Sequence, residues 1–577
     1  MANTIDLAAT SIRSYGKNSY ETKPFEHIYT CNTGELVPAF ATVMINPGST
    51  YKITTSILAR LNTSRYPTIA RGWIEYAWFY VPHMQIWDHW NNLIGVNTDA
   101  AWIASATYSV PKIQIGANDT IQYGSVLDHL GWSPAITGGF EGSALKLRAY
   151  NQICNYWFRD ENIEAPFAPA TGDSAITYST SGDWTVGNTL YKVNRKADYF
   201  STCTPQIIRA PAGSTLIPLG TSAPLTTTSA PVIGDGYNIG IESINALGNK
   251  ETFGLTGGLT VNNVSTYLGG GQANKTIGTV TSSLAATKGN SAIGLSQDPT
   301  KSHIYADLSN TNVDLSTSNA AANLYKVREA AVTTHIFERD TRSGNHRVDE
   351  ILWARWGVEV DDIEIGIPRL LNTNRFPIEF EQVPQTSSSD ATSPQGTLTA
   401  FGYTNNRSDQ ETFSFKYHGT LMCLVWIRFE HKYQSGMASE DQKFDRFDFW
   451  HPEMAGLGDQ AVYDFEIYAT GGNAGTIKTR SVFGYQERAS EYKNFPSLIT
   501  GQTRSSYSQT MDYVHMADEY ASLPVLSAAW MKENPDNLDR TIFVTSSTAN
   551  QWLVDFVAEF EITDTIPLYS IPGIDRL

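Results

Sequence analysis

Four groupings in this 577-residue sequence carry the residue types from which catalytic or binding sites are made. His83 and His89 bracket Trp87-Asp88 in the run Val81-Pro82-His83-Met84-Gln85-Ile86-Trp87-Asp88-His89-Trp90. Their spacing does not put two imidazoles on one helix face as a metal pair would need, and a histidine among tryptophans reads as a hydrogen-bonded packing residue. Asp361, Asp362 and Glu364 could supply paired carboxylates for acid/base work. Beside Gly366 and Pro368 they read more simply as a solvated loop. Arg339, Arg342, Arg347 and Arg355 share a segment with Glu338, Asp340, Asp349 and Glu350, a mixture that builds ion-pair networks on a solvated face or between subunits. Arg60, Arg65 and Arg71 are interleaved with Tyr66 and Trp73. Planar guanidinium groups near aromatic rings can hold phosphate and stack on unpaired bases, although salt bridges within the fold are the plainer use.

The usual signatures of catalysis are missing. The sequence has no G-x-S-x-G elbow, no H-E-x-x-H and no G-x-x-x-x-G-K-[ST]. Gly234-Asp235-Gly236 opens like a dinucleotide fingerprint but lacks the third glycine at the right offset and the strand-then-helix setting. Neither an enzymatic activity nor a cofactor or metal is expected.

The elements that would position these groups are mostly strands. With 41% hydrophobic and 12% aromatic residues the chain can bury a large core, and its formal charge of −17 argues against a general nucleic-acid wrapper. The start of the sequence has no apolar signal region and no later run is long enough to span a membrane. Cys31, Cys154, Cys203 and Cys423 lie far apart without metal or redox spacing, and are expected as buried thiols in a reducing compartment. The segment up to about Thr30 is polar and aperiodic. It is expected to lie as an arm across a surface. Val37 to Ile45 and Tyr51 to Ile57 read as strands joined into a hairpin by Asn46-Pro47-Gly48, and Trp73 to Val81 as a central strand buried on two sides. Leu421 to Phe429 is an almost continuous apolar run and Ala461 to Ala469 a mixed one, both read as strands. In the clearest strand Trp552, Val554, Phe556, Ala558, Phe560 and Ile562 line one face against Asp555, Glu559 and Glu561 on the other. Helical periodicity appears from Ser143, from about Asn319 to Glu338, and from His346 to Trp356 with Gly357 as its C-cap. No internal repeat is visible. These elements predict a mainly β fold, an antiparallel sandwich carrying long insertions with several helices.

The sandwich is interrupted. From about Gln206 to Ile304 the chain turns Gly/Ser/Thr/Asn/Ala-rich with only nine charged residues, and no Trp occurs between Trp184 and Trp353. Ile241, Ile244, Leu259 and Val261 recur between turns such as Gly257-Gly258, which suits short strands. Long insertions at a loop tip cost little closure entropy, so three parts are expected. Residues 1–205 supply an arm and the first part of the core with a connecting helix, 206–304 a surface insertion, and 305–577 the second part of the core with inter-subunit loops.

Several stretches together resemble the major capsid protein of the microviruses, small single-stranded DNA phages, and most closely the gokushovirus-like branch. They are Ile86-Trp87-Asp88-His89-Trp90, Leu147-Arg148-Ala149-Tyr150-Asn151, Trp157 to Asn162, Ala197-Asp198-Tyr199-Phe200 and Phe337-Glu338-Arg339-Asp340. Further along stand Val383-Pro384-Gln385-Thr386, Pro394-Gln395-Gly396, Leu457 to Val462, Phe483 to Glu487, His515-Met516-Ala517 and Tyr569 to Gly573. Their order spans nearly the whole chain. Ala489 departs from the pattern where relatives tend to carry an aromatic, and Met84 where a basic residue is usual.

The resemblance implies an eight-stranded antiparallel jelly-roll sandwich whose sixty copies form a T=1 shell around circular single-stranded DNA. It implies a virion location after assembly in the host cytoplasm. Its partners would be a small basic internal protein, a scaffolding protein, a DNA pilot protein and a host cell-surface receptor. The insertion would form protrusions at the threefold axes and serve host attachment. Arg60, Arg65 and Arg71 are the candidates to face the genome, and Arg339, Arg342, Arg347 and Arg355 the candidates for a charge network between subunits. A glycan-binding adhesin or fibre protein and a β-sandwich glycoside hydrolase are the rival classes, the latter needing two carboxylates about 5 to 10 Å apart in a cleft.

Overall fold

The structure, a computed structural model, describes residues 16–96, 108–206, 348–361, 363, 366–384, 386, 395–396, 398–469 and 481–567, with short strand segments between 222 and 314 and helical residues at 328–329, 332–333 and 336.

Eight strands build two sheets. They are β1 (Phe25–Cys31), β2 (Val37–Ile45), β3 (Thr50–Leu61), β4 (Gly72–Pro82), β5 (Arg369–Pro377), β6 (Leu398–Arg407), β7 (Gly419–Phe429) and β8 (Trp552–Asp564). One sheet runs β1-β8-β3-β6 and the other β2-β7-β4-β5, every pairing antiparallel. Every strand but β5 crosses to the opposite sheet from its predecessor, which is the winding of a jelly roll. Three short strands lengthen the first sheet. Asn18–Glu21 continues the β1 edge along β8, Glu411–Ser414 continues β6 along β3, and Glu379–Pro384 pairs outside β6.

Period-two patterning fixes which side chains face inward. Along β8, Trp552, Val554, Phe556, Ala558, Phe560 and Ile562 are buried and alternate with partly or fully exposed residues. The Phe40 ring of β2 packs 4.9 Å from Phe560, and Trp78 of β4 packs 6.0 Å from Phe560. Trp78 Nε1 donates to Thr55 Oγ1 at 3.1 Å, so the one polar atom of this ring is satisfied across the sandwich.

The second sheet is covered on its other side as well. Ala77, Phe79 and Val81 of β4 and Met422, Leu424 and Trp426 of β7 form a second core with α1 (Leu145–Ile153). The polar residues of α1 tie down the connections around it. Arg148 donates to the carbonyls of Ile86, Gly172 and Ser174, Tyr150 Oη to Leu36 O, and Asn151 Nδ2 to Thr185 O, at 2.8 to 3.0 Å. Beyond Ile153 the helix widens into a π turn (Cys154–Phe158), which brings Trp157 and Phe158 against Phe79. A second helix, α2 (Val348–Trp356), ends at Gly357, whose φ of +67° and N–H to Trp353 O at 2.9 Å form the expected cap. All four cysteines are free and buried.

Three details differ from the sequence reading. Asn46-Pro47-Gly48 does turn the chain, with Gly48 at φ +80°, but β2 and β3 enter opposite sheets and do not pair. Both bury an apolar face against the other, and face-to-face packing satisfies that pattern as well as edge pairing would. The N-terminal segment, expected as an arm across a surface, is described from residue 16 and there runs as strand, with Asn18–Glu21 and Phe25–Cys31 both paired to β8. The open edge of β8 offers backbone partners that a polar sequence can use. The run Ala461 to Ala469 is strand only to Tyr463 and then becomes the helical turn Asp464–Ile467. Glu466 there accepts the Tyr463 N–H at 3.0 Å.

Residues divide into two compact units, 1–209 with 335–577, and 210–334. The expected insertion of 206–304 and helix of 319–338 fall mostly outside the described residues. Within them, short antiparallel pairs join Ile241–Ile244 to Lys250–Thr252 and to Tyr305–Ala306, Ser265–Thr266 to Lys275–Thr276, and Asn312–Asp314 to Ser222–Pro224.

Candidate assembly surface

The connection from β7 to β8, residues 430–551, is built mainly of turns and short 3-10 segments among its described residues. A buried charge cluster holds it to the sandwich. His431 lies two residues past β7, its Nδ1 3.1 Å from Asp518 and its Nε2 3.0 Å from Glu533. Arg195 Nη1 reaches Asp518 at 2.5 Å, and Asn537 and Tyr520 also donate to Asp518. The Arg195 guanidinium lies 4.8 Å over the Trp530 ring. Burial by itself would lower the His431 pKa, but Glu533 and Asp518 outweigh it and raise it to about 10. Burial would raise Asp518, yet His431 and Arg195 hold it well below the usual carboxylate range. Two cations thus face two anions, the balance a buried cluster needs.

Neighbouring motifs lock around it. Asp459–Tyr463 pairs antiparallel with Val482–Glu487, so two stretches that carried the resemblance form one hairpin. Phe483 packs 6.0 Å from Phe200 and 5.3 Å from Trp530, while Gln486 Nε2 donates to Tyr199 O at 2.8 Å. The Tyr199 hydroxyl donates to Glu466 at 2.9 Å, and burial raises that carboxyl to about 7. These carboxylates serve the architecture.

On this support stands an exposed aromatic turn. Asp445 and Asp448 cap the 3-10 turn Arg446–Asp448 reciprocally, and Asp448 also accepts the N–H of Phe444 at 3.0 Å. The fixed turn presents Phe444 and Phe447, 76% and 71% exposed. Lys443 pairs with Glu491 at 3.2 Å and lies 4.1 Å over Tyr492, whose hydroxyl accepts the Trp450 N–H. Phe495 is 90% exposed nearby in sequence. Hydrogen-bonded backbone that holds several large apolar groups in water marks an interaction surface.

The residues singled out in the sequence are scattered. Arg60 points outward from β3 between Leu553 of β8 and Tyr403 of β6. Arg65 and Arg71 are exposed on the following connection, Arg65 5.3 Å over the Phe543 ring. None of the three meets a carboxylate among the described residues, so the expected intramolecular salt bridges are not seen there. Arg355 is exposed on α2, 5.8 Å over Trp356. Arg339, Arg342 and Arg347 lie outside the described residues. His89 and Trp87 share Asp173, at 2.9 and 2.7 Å. His83 is buried against Trp90 with neither ring nitrogen hydrogen-bonded, unlike the partnered residue expected. Asp361 accepts from the Ile363 N–H, and Asp362 and Glu364 lie outside the described residues. Among the described residues no group of three His, Cys, Asp or Glu has metal-site geometry, and no helix is long and apolar enough to cross a membrane. The sequence reading missed the His431 cluster, because its members, Arg195, His431, Asp518 and Glu533, lie far apart in the chain.

Comparison with known proteins adds the identity of the family. The chain is 30% identical over 566 residues to capsid protein VP1 of Spiroplasma virus 4, covering 96% of this chain and 95% of that one. It is 30% identical over 563 residues to VP1 of Bdellovibrio phage phiMH2K, with 97% and 95% covered, and 28% identical over 565 residues to VP1 of Chlamydia phage 1, with 94% and 93% covered. The model of the family described as Capsid protein (F protein) matches residues 12–574. With the two-sheet fold, the hairpin of resembling motifs and this match across nearly all its length, the chain belongs to the capsid protein (F protein) family of the microviruses.

Proposed function

We propose that this chain is the subunit of a T=1 icosahedral shell, sixty copies enclosing circular single-stranded DNA. What carries the reading is the family match over residues 12–574, supported by a surface that keeps large aromatic groups in water on a hydrogen-bonded turn. The role is structural and includes no catalytic step. Each copy brings a formal charge of −17, which repels packaged DNA, so a small basic internal protein neutralises the genome. Scaffolding and DNA pilot proteins assist assembly in the host cytoplasm. Residues 1–205 and 305–577 make the shell wall. Residues 206–304 form a threefold protrusion that meets the host receptor.

Electron microscopy of particles formed by the full-length chain with the other products of its genome tests the shell. An icosahedral reconstruction with one chain per asymmetric unit and nuclease-protected circular DNA is the expected result; soluble monomers or trimers without DNA would refute it. Deleting residues 206–304 between compatible ends is expected to leave particles that no longer adsorb to the host. Unchanged adsorption would remove the attachment role.

A further inference from the structure

Two exposed surfaces of the larger unit are opposite in charge and alike in apolar character. The first is the aromatic turn. Between Glu440 and Glu453 the chain holds five carboxylates against two bases, and Lys443 is already paired with Glu491. Glu440, Asp441 and Glu453 are exposed beside Phe444, Phe447 and Phe449. The second surface lies around Arg65. From Arg60 to Arg71 there are three arginines and no carboxylate. This segment is fixed to two others: Arg65 N donates to Thr541 O at 2.7 Å, Phe543 N to Thr63 O at 3.0 Å, and Ile69 N to Val514 O at 2.6 Å. Tyr66 stacks 4.0 Å from Tyr513, while Ile69 and Phe543 are 76% and 57% exposed. Asp512, on the segment that bonds Ile69, is occupied by Arg540 at 3.4 Å, and the Glu430 N–H donates to Arg71 O at 3.0 Å.

We infer that the acidic aromatic turn of one copy seats on the basic apolar surface of Arg65, Ile69, Arg71 and Phe543 of a second copy. The inference rests on the shell reading and names the contact that reading requires. Two different patches of one chain that fit each other make a heterologous contact, which closes into rings about rotation axes, as fivefold and threefold vertices demand. Phenylalanines supply buried area at the centre, and arginines facing carboxylates set the register. Single-stranded DNA is the other occupant the arginines could take. Exposed Ile69 argues against it, since an aliphatic side chain offers neither charge nor a stacking face.

The test is particle formation by the full-length chain, made with the other products of its genome, in three variants. Arg65→Glu/Arg71→Glu and Phe444→Ser/Phe447→Ser should each give soluble subunits with the parental melting temperature but at least tenfold fewer particles. Adding Glu440→Arg/Asp441→Arg to the arginine variant should restore particles, because the attraction is rebuilt with reversed sign. Restoration also excludes misfolding as the cause of the first loss. Normal particle numbers from the arginine variant would overturn the pairing, and if those particles held less DNA the arginines would belong to the genome. Loss without restoration in the charge-swapped chain would overturn it equally. If the parental chain itself forms no shell, the shell reading fails and the pairing falls with it, an outcome distinct from shells that form regardless of Arg65 and Arg71.

Discussion

The His431 imidazole and the Glu533 carboxylate meet at 3.0 Å with both side chains sealed from solvent. This contact joins the end of β7 to the chain approaching β8, so the intervening surface loops hang from a fixed point. Removing one partner of a buried ion pair leaves the other charge uncompensated. His431→Ala is expected to destabilise the subunit by about 3–5 kcal/mol, read from the urea midpoint at unchanged slope. A loss under 1 kcal/mol would mean that the cluster is dispensable.

Acidity should act from both sides. The folded His431 pKa of about 10 lies above its ordinary 6.5, so its stabilisation is complete below pH 6.5 and disappears as pH rises toward 10. Burial, with a like-charged histidine nearby, lowers His83 and His129 to about 4. These two stay neutral in the fold while the unfolded chain takes up protons, so stability falls as pH drops from 6.5 toward 4. Melting temperatures across this range should peak near neutrality. His431→Gln should flatten the alkaline limb and leave the acid limb in place; an unchanged alkaline limb would contradict the assignment.

The inner face of β8 is the place where core truncation should be most costly. Trp552 and Phe556 are fully buried and pack against rings of the opposite sheet, Trp552 near Phe429 and Phe556 near Trp78. Phe556→Ala is expected to cost about 3–5 kcal/mol, and Leu553→Ala on the outer face less than about 1 kcal/mol. Equal effects would show that the strand's two faces are not energetically distinct.

Ala489 sits at φ +63°, the sole non-glycine residue with positive φ among those described. Its N–H is held by Gln460 Oε1 at 3.1 Å, at the end of the hairpin strand. Left-handed backbone costs a residue with a Cβ about 1–2 kcal/mol, and glycine returns part of that gain as chain entropy. Ala489→Gly should therefore raise stability slightly, by about 0.5 kcal/mol, and a lower melting temperature would refute the strain.

Much of the sandwich was legible because a strand advertises its buried face locally. Trp552 to Ile562 alternates within a few residues, and Gly357 marks a helix end by its own backbone preference. What stayed hidden depends on partners distant in sequence. The turn at Gly48 reads the same whether β2 and β3 pair or oppose one another, and Asn18–Glu21 becomes a strand only because β8 supplies an edge. His431, Asp518 and Glu533 likewise have no common spacing, and only folding brings them together. The aromatic turn at Phe444 to Phe449 was not singled out from the sequence, because its exposure follows from the capping carboxylates beneath it.

The position of β8 has a bearing on biosynthesis. It hydrogen-bonds to β1 and β3, which leave the ribosome long before it does, and it contributes a full row of the inner face. Until Trp552 to Asp564 emerge, the nascent chain exposes the gap between those two early strands and cannot close its sandwich. Such non-local pairing makes folding slow and leaves open strand edges that invite aggregation. A late-arriving central strand also ties completion of the sandwich to completion of the chain: one truncated before residue 552 leaves β1 and β3 without the strand that joins them.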